Sequence, residues 1–410
     1  MAVFDTGDVA WVLAATGLVM LMTPALGFFY GGLVRRKNLV STIVQCMIIF
    51  AVVSLVWALW GYSLAFSNDA GFGLIGNLNN VFLIGIDANT AGFYSALIPS
   101  LLFFAFQLKF AAITPALIIG AFAERIRFKA LLIFIILWAT FIYAPIAHWV
   151  WGDGGWLRGL GVLDFAGGLV VHVSAGLSAI AAALVIGRRK DVEGNHNPRP
   201  NNIPFVILGA AILWFGWFGF NGGSALAADN VAINALVVTN LSASASAVTW
   251  MMVDWFRNGK PSAVGISVGA VAGMVAITPA SGYVAPWASL IIGMGAGIAS
   301  NLVSNWRART HLDDSLDVFA CHGMGAIWGM IATGLFATLE INAAGGNGLF
   351  FGDPGRVGVE ALGVAVVAAF SFFGSFALLK LINLFTPLRV SPQEEEAGLD
   401  LSEHGEEAYT

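Results

Sequence analysis

The chain has 410 residues, of which 58% are hydrophobic and 10% charged. A soluble domain carries about 25% charged residues, so this composition argues against an ordinary globular protein and for a polytopic membrane protein. The formal net charge of −5 comes largely from the C-terminal tail and says little about nucleic acid, and the two cysteines, Cys46 and Cys321, show no disulfide or metal-site spacing.

A membrane span needs about 20 predominantly apolar residues. Eleven such stretches follow one another at 9–32, 39–66, 93–122, 130–151, 165–187, 203–221, 231–256, 262–278, 284–304, 316–338 and 357–385. Basic residues mark every second connection: Arg35, Arg36 and Lys37; Arg125, Arg127 and Lys129; Arg188, Arg189, Lys190 and Arg199; Arg257 and Lys260; Arg307 and Arg309; and Arg389. The opposite connections hold only Arg158 and Arg356. The positive-inside rule therefore places the N-terminus outside and the C-terminus in the cytoplasm. The outer connections 67–92, 152–164 and 341–356 are rich in Gly, Asn and Asp and read as irregular loops. The chain divides into a transmembrane domain, 1–390, and a tail, 391–410, whose acidic composition alone suggests a solvated, disordered segment.

A weak internal repeat runs through the spans. Ala112-Ile-Thr-Pro-Ala116 recurs as Ala276-Ile-Thr-Pro-Ala280, and the glycine-rich end of span 1, Gly27–Gly32, recurs as Gly219–Gly223 at the end of span 6. An acid followed by a histidine opens span 5 (Asp164, His172) and span 10 (Asp317, His322). Each pair is offset by five spans. Five is odd, so spans 1–5 and 6–10 form inverted five-helix repeats, with an eleventh helix added. In that plan the solute site lies at the repeat interface near the midplane.

The ionisable residues inside the spans are costly there and mark a functional site. His172 lies eight residues, or about 12 Å of helix, below Asp164, and His322 lies about 7.5 Å above Asp317. Antiparallel spans bring both rings toward mid-depth, where two imidazoles can share and relay a proton or simply satisfy each other as a buried pair. A metal site lacks a third ligand. Asp164 suits a helix N-cap and equally offers negative potential to an arriving cation. Trp151, Phe110, Trp217, Phe220 and Ser224 lie in or near spans 3, 4 and 6. They read either as an interfacial aromatic belt or as a box for a desolvating cation. Lys109, inside span 3, costs about 2.5–3.5 kcal/mol unless it is paired or snorkels, and Glu124-Arg125 reads as a structural ion pair.

These residues lie in motifs that resemble the ammonium transporters, in the prokaryotic Amt branch of the Amt/Mep/Rh superfamily. The motifs are Gly27-Phe-Phe-Tyr-Gly-Gly-Leu-Val-Arg35, Phe106-Gln-Leu-Lys-Phe110, Ala123-Glu-Arg125, Pro145-Ile-Ala-His148-Trp-Val-Trp151, Asp164-Phe-Ala-Gly-Gly-Leu-Val-Val-His172, Gly216-Trp-Phe-Gly-Phe-Asn-Gly-Gly-Ser224 and Asp317-Val-Phe-Ala-Cys-His322-Gly. The tail, Gly398–Tyr409, is also similar to that family's C-terminal region. The resemblance implies a homotrimer in the cytoplasmic membrane, with one pore per subunit, no cofactor and no enzymatic activity. It implies that Trp151, Phe110 and Ser224 recruit ammonium, with Trp217 as a nearby wall residue. Phe110 and Phe220 close the pore, His172 and His322 line the conduit, and Asp164 lies beneath the vestibule. The implied transport recruits ammonium outside, removes its proton and passes ammonia, with methylammonium as an analogue. An Rh-like channel for ammonia or carbon dioxide and an ammonium sensor without flux are the alternatives. The resemblance also implies that the tail is ordered and regulatory, and that a PII-type signal protein docks on the cytoplasmic face. Two features depart from the pattern. Lys109 stands beside the gate phenylalanine where an uncharged residue is expected, and the start, Met1 to Asp8, lacks a cleavable signal and is expected to keep its first residue outside.

Overall fold

The structure is a computed structural model that describes residues 4–190 and 199–409. The expectation for the first residue lies outside the described residues. Among the described residues the fold is helical apart from one small hairpin. The helices are α1 (Thr6–Leu33), α2 (Arg36–Phe66), α3 (Ser100–Phe122), α4 (Phe128–Gly159), α5 (Gly168–Ile186), α6 (Ile203–Ala225), α7 (Asn230–Asn258), α8 (Ala263–Ile277), α9 (Pro286–Arg307), α10 (Phe319–Phe336) and α11 (Gly355–Phe385). Ten of these are long and apolar enough to cross a membrane; α8, at 15 residues, is the shorter one. At about 1.5 Å per residue α8 is shorter than a hydrocarbon core of about 30 Å. Most of it is enclosed by neighbouring helices rather than exposed.

Local chemistry sets the helix ends. Asp5, Asn202, Asp229 and Ser262 accept amide hydrogen bonds at the starts of α1, α6, α7 and α8. Gly259, with φ of 74°, ends α7. The stretch expected to open span 3 at residue 93 is instead a hairpin, β1 (Ala91–Gly92) and β2 (Ser95–Pro99), and α3 starts at Ser100. Pro99 has an extended backbone and no amide to donate, which stops the helix from extending further back.

Packing relies on small residues. A Cβ on Gly209, Gly216 or Gly219 of α6 would overlap α1 at Phe29, Met22 or Leu18. On α8 and α9, Gly273 and Gly293 meet Ser242 of α7 in the same way. Such close approach is how helices gain dispersion contact in lipid, where no hydrophobic drive separates them from solvent.

The tail is folded onto the basic end of the bundle, contrary to the reading from composition alone. Ser391 and Glu394 form a capping box at the start of α12 (Pro392–Ala397). Asp400 accepts the Val40 and Ser41 amides at 3.0 and 2.7 Å, Glu395 pairs with Arg389 at 2.8 Å, and Glu394 pairs with Arg127 at 3.1 Å. The Tyr409 ring lies 4.9 Å below the Arg36 guanidinium. Of the acids that suggested disorder, Glu394, Glu395, Asp400 and Glu403 each find an amide or a cation.

Candidate functional site

Asp164 opens the site. It is buried, and its carboxylate accepts the amides of Gly167, Gly168, Leu169 and Val170 at 2.8, 2.6, 2.7 and 3.3 Å. Burial raises its pKa above the ordinary aspartate value, and those four amides only partly offset that effect. Gly167, at φ 117°, makes the sharp entry that lets one side chain reach four successive amides. The first turn of α5 is π-type, Gly168–Val173, and it carries His172. α10 opens with a matching π-type turn, Phe319–Met324, that carries His322.

The acid that mirrors Asp164 is Asp314, not Asp317. Asp314 is fully buried, accepts the Val318 and Phe319 amides at 3.1 and 2.7 Å, and stands eight residues before His322, the same spacing as Asp164 to His172. Asp317 has φ of 57° and turns away to Arg307 and Ser304. Asp313 binds the backbone and guanidinium of Arg189, which follows the far end of α5. The α10 entry therefore sits beside the α5 exit, and the two helices run antiparallel.

This arrangement brings the rings into one continuous set. Trp151 stands edge-on to Phe110 at 6.0 Å between centroids, and Phe110 lies 4.4 Å from Phe220. Phe220 lies 5.9 Å from His172 at an interplanar angle of 23°, and Trp217 flanks both. His172 and His322 are 5.4 Å apart at 20°, with Nδ1 to Nδ1 of 3.3 Å. One of those nitrogens must donate and the other accept. His172 Nε2 is buried and has no hydrogen-bond partner.

Above the phenylalanines a cavity of about 490 Å³ is lined by Trp151, Phe110, Ser224 and Asp164. The Trp151 indole donates to the Asp164 carbonyl at 2.8 Å, and Ser224 Oγ donates to the Phe220 carbonyl at 2.8 Å. The serine oxygen thus keeps its lone pairs free to accept, in a cavity that the Trp151 and Phe110 rings also line. Trp217 is anchored by its indole on Thr278 at 2.9 Å. Trp151 therefore faces a cavity rather than serving as a belt anchor. The cavity also includes Gln107, Tyr94, Phe103 and Tyr283, which sequence reasoning did not assign. Gln107 was the legible one: it stands three residues before Phe110, on the same helix face, in an apolar run.

Two further expectations are revised. Glu124 does not pair with Arg125; it pairs with Arg35 at 2.8 Å and Arg189 at 3.0 Å. Arg125 instead donates to the Ala121, Ala123, Gly187 and Asp313 carbonyls. Adjacent residues point in different directions, so proximity in sequence did not make a pair. Lys109 is half-buried, and its ammonium lies 5.1 Å from the Phe50 ring centre, a cation–π contact that offsets part of its cost in the span.

A family model described as the Ammonium Transporter Family matches residues 10–409. The chain is 48% identical to ammonium transporter Amt1 of Archaeoglobus fulgidus, over 98% of this chain and 99% of that one. It is also 48% identical to an ammonium transporter of Bacillus subtilis, over 98% of each. Among solved structures it is similar to Saccharomyces cerevisiae Mep2 (TM-score 0.89, 38% identity, 95% of this chain and 89% of that one). It is equally close in fold to a structure titled Sensor Amt Protein (TM-score 0.89, 30% identity, 97% and 98%).

Proposed function

This chain belongs to the ammonium transporter family, and from that premise we propose that it takes up ammonium across the cytoplasmic membrane through the path lined by Trp151, Phe110, Phe220, His172 and His322. The cation is held against the faces of Trp151 and Phe110 and the oxygen of Ser224, with Trp217 as a wall. Moving a whole ammonium ion into an apolar path is expensive, whereas neutral ammonia crosses at small cost. The ion therefore gives up its proton at the Phe110–Phe220 pair. Ammonia passes the histidines, and the proton follows the His172–His322 contact. Asp164 caps α5 and adds negative potential beneath the vestibule. In this reading α1–α5 and α6–α10 are inverted repeats, α11 completes eleven spans, the N-terminus is outside and the tail is cytoplasmic. The assembly is a homotrimer, and a PII-type signal protein docks where the ordered tail meets the basic connections.

The observation that carries the proposal is the unbroken series of ring contacts from Trp151 to His322. The test is methylammonium and ammonium flux in proteoliposomes, together with growth rescue of a transport-deficient strain at limiting ammonium. Saturable uptake with rescue supports it. Ammonium binding without flux would instead support a sensor, a reading favoured by the likeness to the Sensor Amt Protein structure.

A further inference from the structure

His148 belongs to none of the roles above, yet it is fully buried on α4 one turn before Trp151. Its Nδ1 lies 3.0 Å from the Ala65 carbonyl oxygen, and its Nε2 lies 3.2 Å from Asp69 Oδ1. A carbonyl and a carboxylate only accept hydrogen bonds. A neutral imidazole has one N–H, so in either tautomer one ring lone pair would face an oxygen lone pair. Only the doubly protonated ring satisfies both partners. Asp69 remains a carboxylate: desolvation pushes it up, but the Gly73 and Gly71 amides and the His148 ring outweigh that and hold it below the ordinary aspartate value.

The ring ties three pieces of chain together. Ala65 is in the last turn of α2, and Asp69 stands in the connection after it. The turn after Trp151 closes over the same ring, since the Gly152 amide bonds the Ala147 and His148 carbonyls and a Cβ on Gly152 would overlap His148 Nδ1. Trp151 sits between these anchors, with its indole on the Asp164 carbonyl. Asp69 is the ionisable group that meets the ring among the described residues. The other rim groups are engaged elsewhere. Arg158 donates to the Trp151 carbonyl, Asp153 offers its amide to the Tyr94 hydroxyl, and that hydroxyl donates to the Phe66 carbonyl.

We propose that His148 is a positioning residue for substrate recruitment: clamped between the Ala65 carbonyl and the Asp69 carboxylate, it holds Trp151 at the vestibule wall. The inference rests on Trp151 being part of the recruiting wall. Losing one of the two ring donors frees one side of the clamp, which is the loss of a hydrogen bond to a charged group.

The experiment measures KM and maximal rate for methylammonium uptake in proteoliposomes. Asp69→Ala and His148→Leu each remove one side of the clamp or the whole of it, and each raises KM up to roughly tenfold with little change in maximal rate. Asp69→Asn presents both an acceptor and a donor, so it can still bond the ring, and its KM stays near that of the wild type. A wild-type KM in both Asp69→Ala and His148→Leu, or a fall in maximal rate with KM unchanged, overturns the clamp. Trp151→Leu separates the two readings. A raised KM upholds the recruiting wall independently of the clamp, and an unchanged KM removes both.

Discussion

The Nδ1 atoms of His172 and His322 lie 3.3 Å apart although 150 residues separate them in the chain. Two imidazole nitrogens at this distance need one proton between them; two N–H groups, or two lone pairs, would repel. The pair is therefore one donor and one acceptor, in an order set by the tautomers, and a relay through it requires that order to reverse. With His322→Ala the His172 Nδ1 loses its partner. Ammonium-evoked current in proteoliposomes is expected to fall at least about tenfold, with KM for methylammonium little changed because the vestibule is intact. A current equal to wild type in the His172→Ala, His322→Ala double variant would remove both rings from proton transfer.

The same pair depends on a glycine contact. A Cβ on Gly176, four residues after His172, would overlap Gly323, the residue after His322. Gly176→Ala should push α5 and α10 apart and cost about 1–3 kcal/mol, read as a lower Tm in detergent. Gly17, in α1, has nothing within 4 Å of the added carbon. Gly17→Ala should leave Tm unchanged or raise it, because alanine is the better helix former by about 0.5–1 kcal/mol. Equal effects at both sites would show that packing is not the cause.

Asp313 and Asp314 are neighbours with opposite pH behaviour. Burial raises Asp313, but the Arg125 and Arg189 guanidinium groups outweigh it and hold the carboxyl well below its ordinary value. Its contribution to stability is present above the unfolded value and is lost as pH falls through the folded one. Asp314 is pushed up to about 6, first by burial and then by Asp317, against Arg307 and the Phe319 and Val318 amides. Its contribution is full below the unfolded value of 3.8 and is lost as pH rises through about 6. The advantage of wild type over Asp314→Asn should therefore shrink by on the order of 2–3 kcal/mol between about pH 4 and about pH 7. The advantage over Asp313→Asn should shrink only at the acid end. Tm against pH for the three proteins checks both signs.

Asp400 joins the tail to the membrane domain by capping α2. Asp400→Ala removes two amide acceptors, at Val40 and Ser41, and should weaken tail docking by about 1 kcal/mol. Limited proteolysis should then cut after α11 severalfold faster than in wild type. If transport changes in parallel, the tail is regulatory as proposed; faster cleavage with unaltered flux assigns it a structural role.

Much of the fold was legible because a membrane imposes a length and a polarity on every span. Ten of the eleven apolar stretches correspond to long helices, and the stretch at 262–278 corresponds to α8. The reading slipped where local chemistry overrode apolar composition, as at Ser95–Pro99, where a hairpin forms and proline stops the helix. The choice of Asp317 over Asp314 slipped for a different reason. Both acids precede His322 in a polar run, and the choice between them rests on a backbone turn with φ of 57° at Asp317 that composition does not encode.

The chain by itself determined the number and order of apolar segments, the alternation of basic connections, and that two histidines and an acid would be buried at high cost. Those properties are local, and water and lipid act on them residue by residue. Only the tertiary structure decided that Glu124 binds Arg35 and Arg189 rather than its neighbour. It also decided that the acidic tail would fold against the basic connections, that His148 would face two acceptors, and that His172 and His322 would meet nitrogen to nitrogen. Each of these depends on how closely distant helices approach. Glycine contacts set that approach, and dispersion and hydrogen bonding are too short-ranged to be read before the helices are in place.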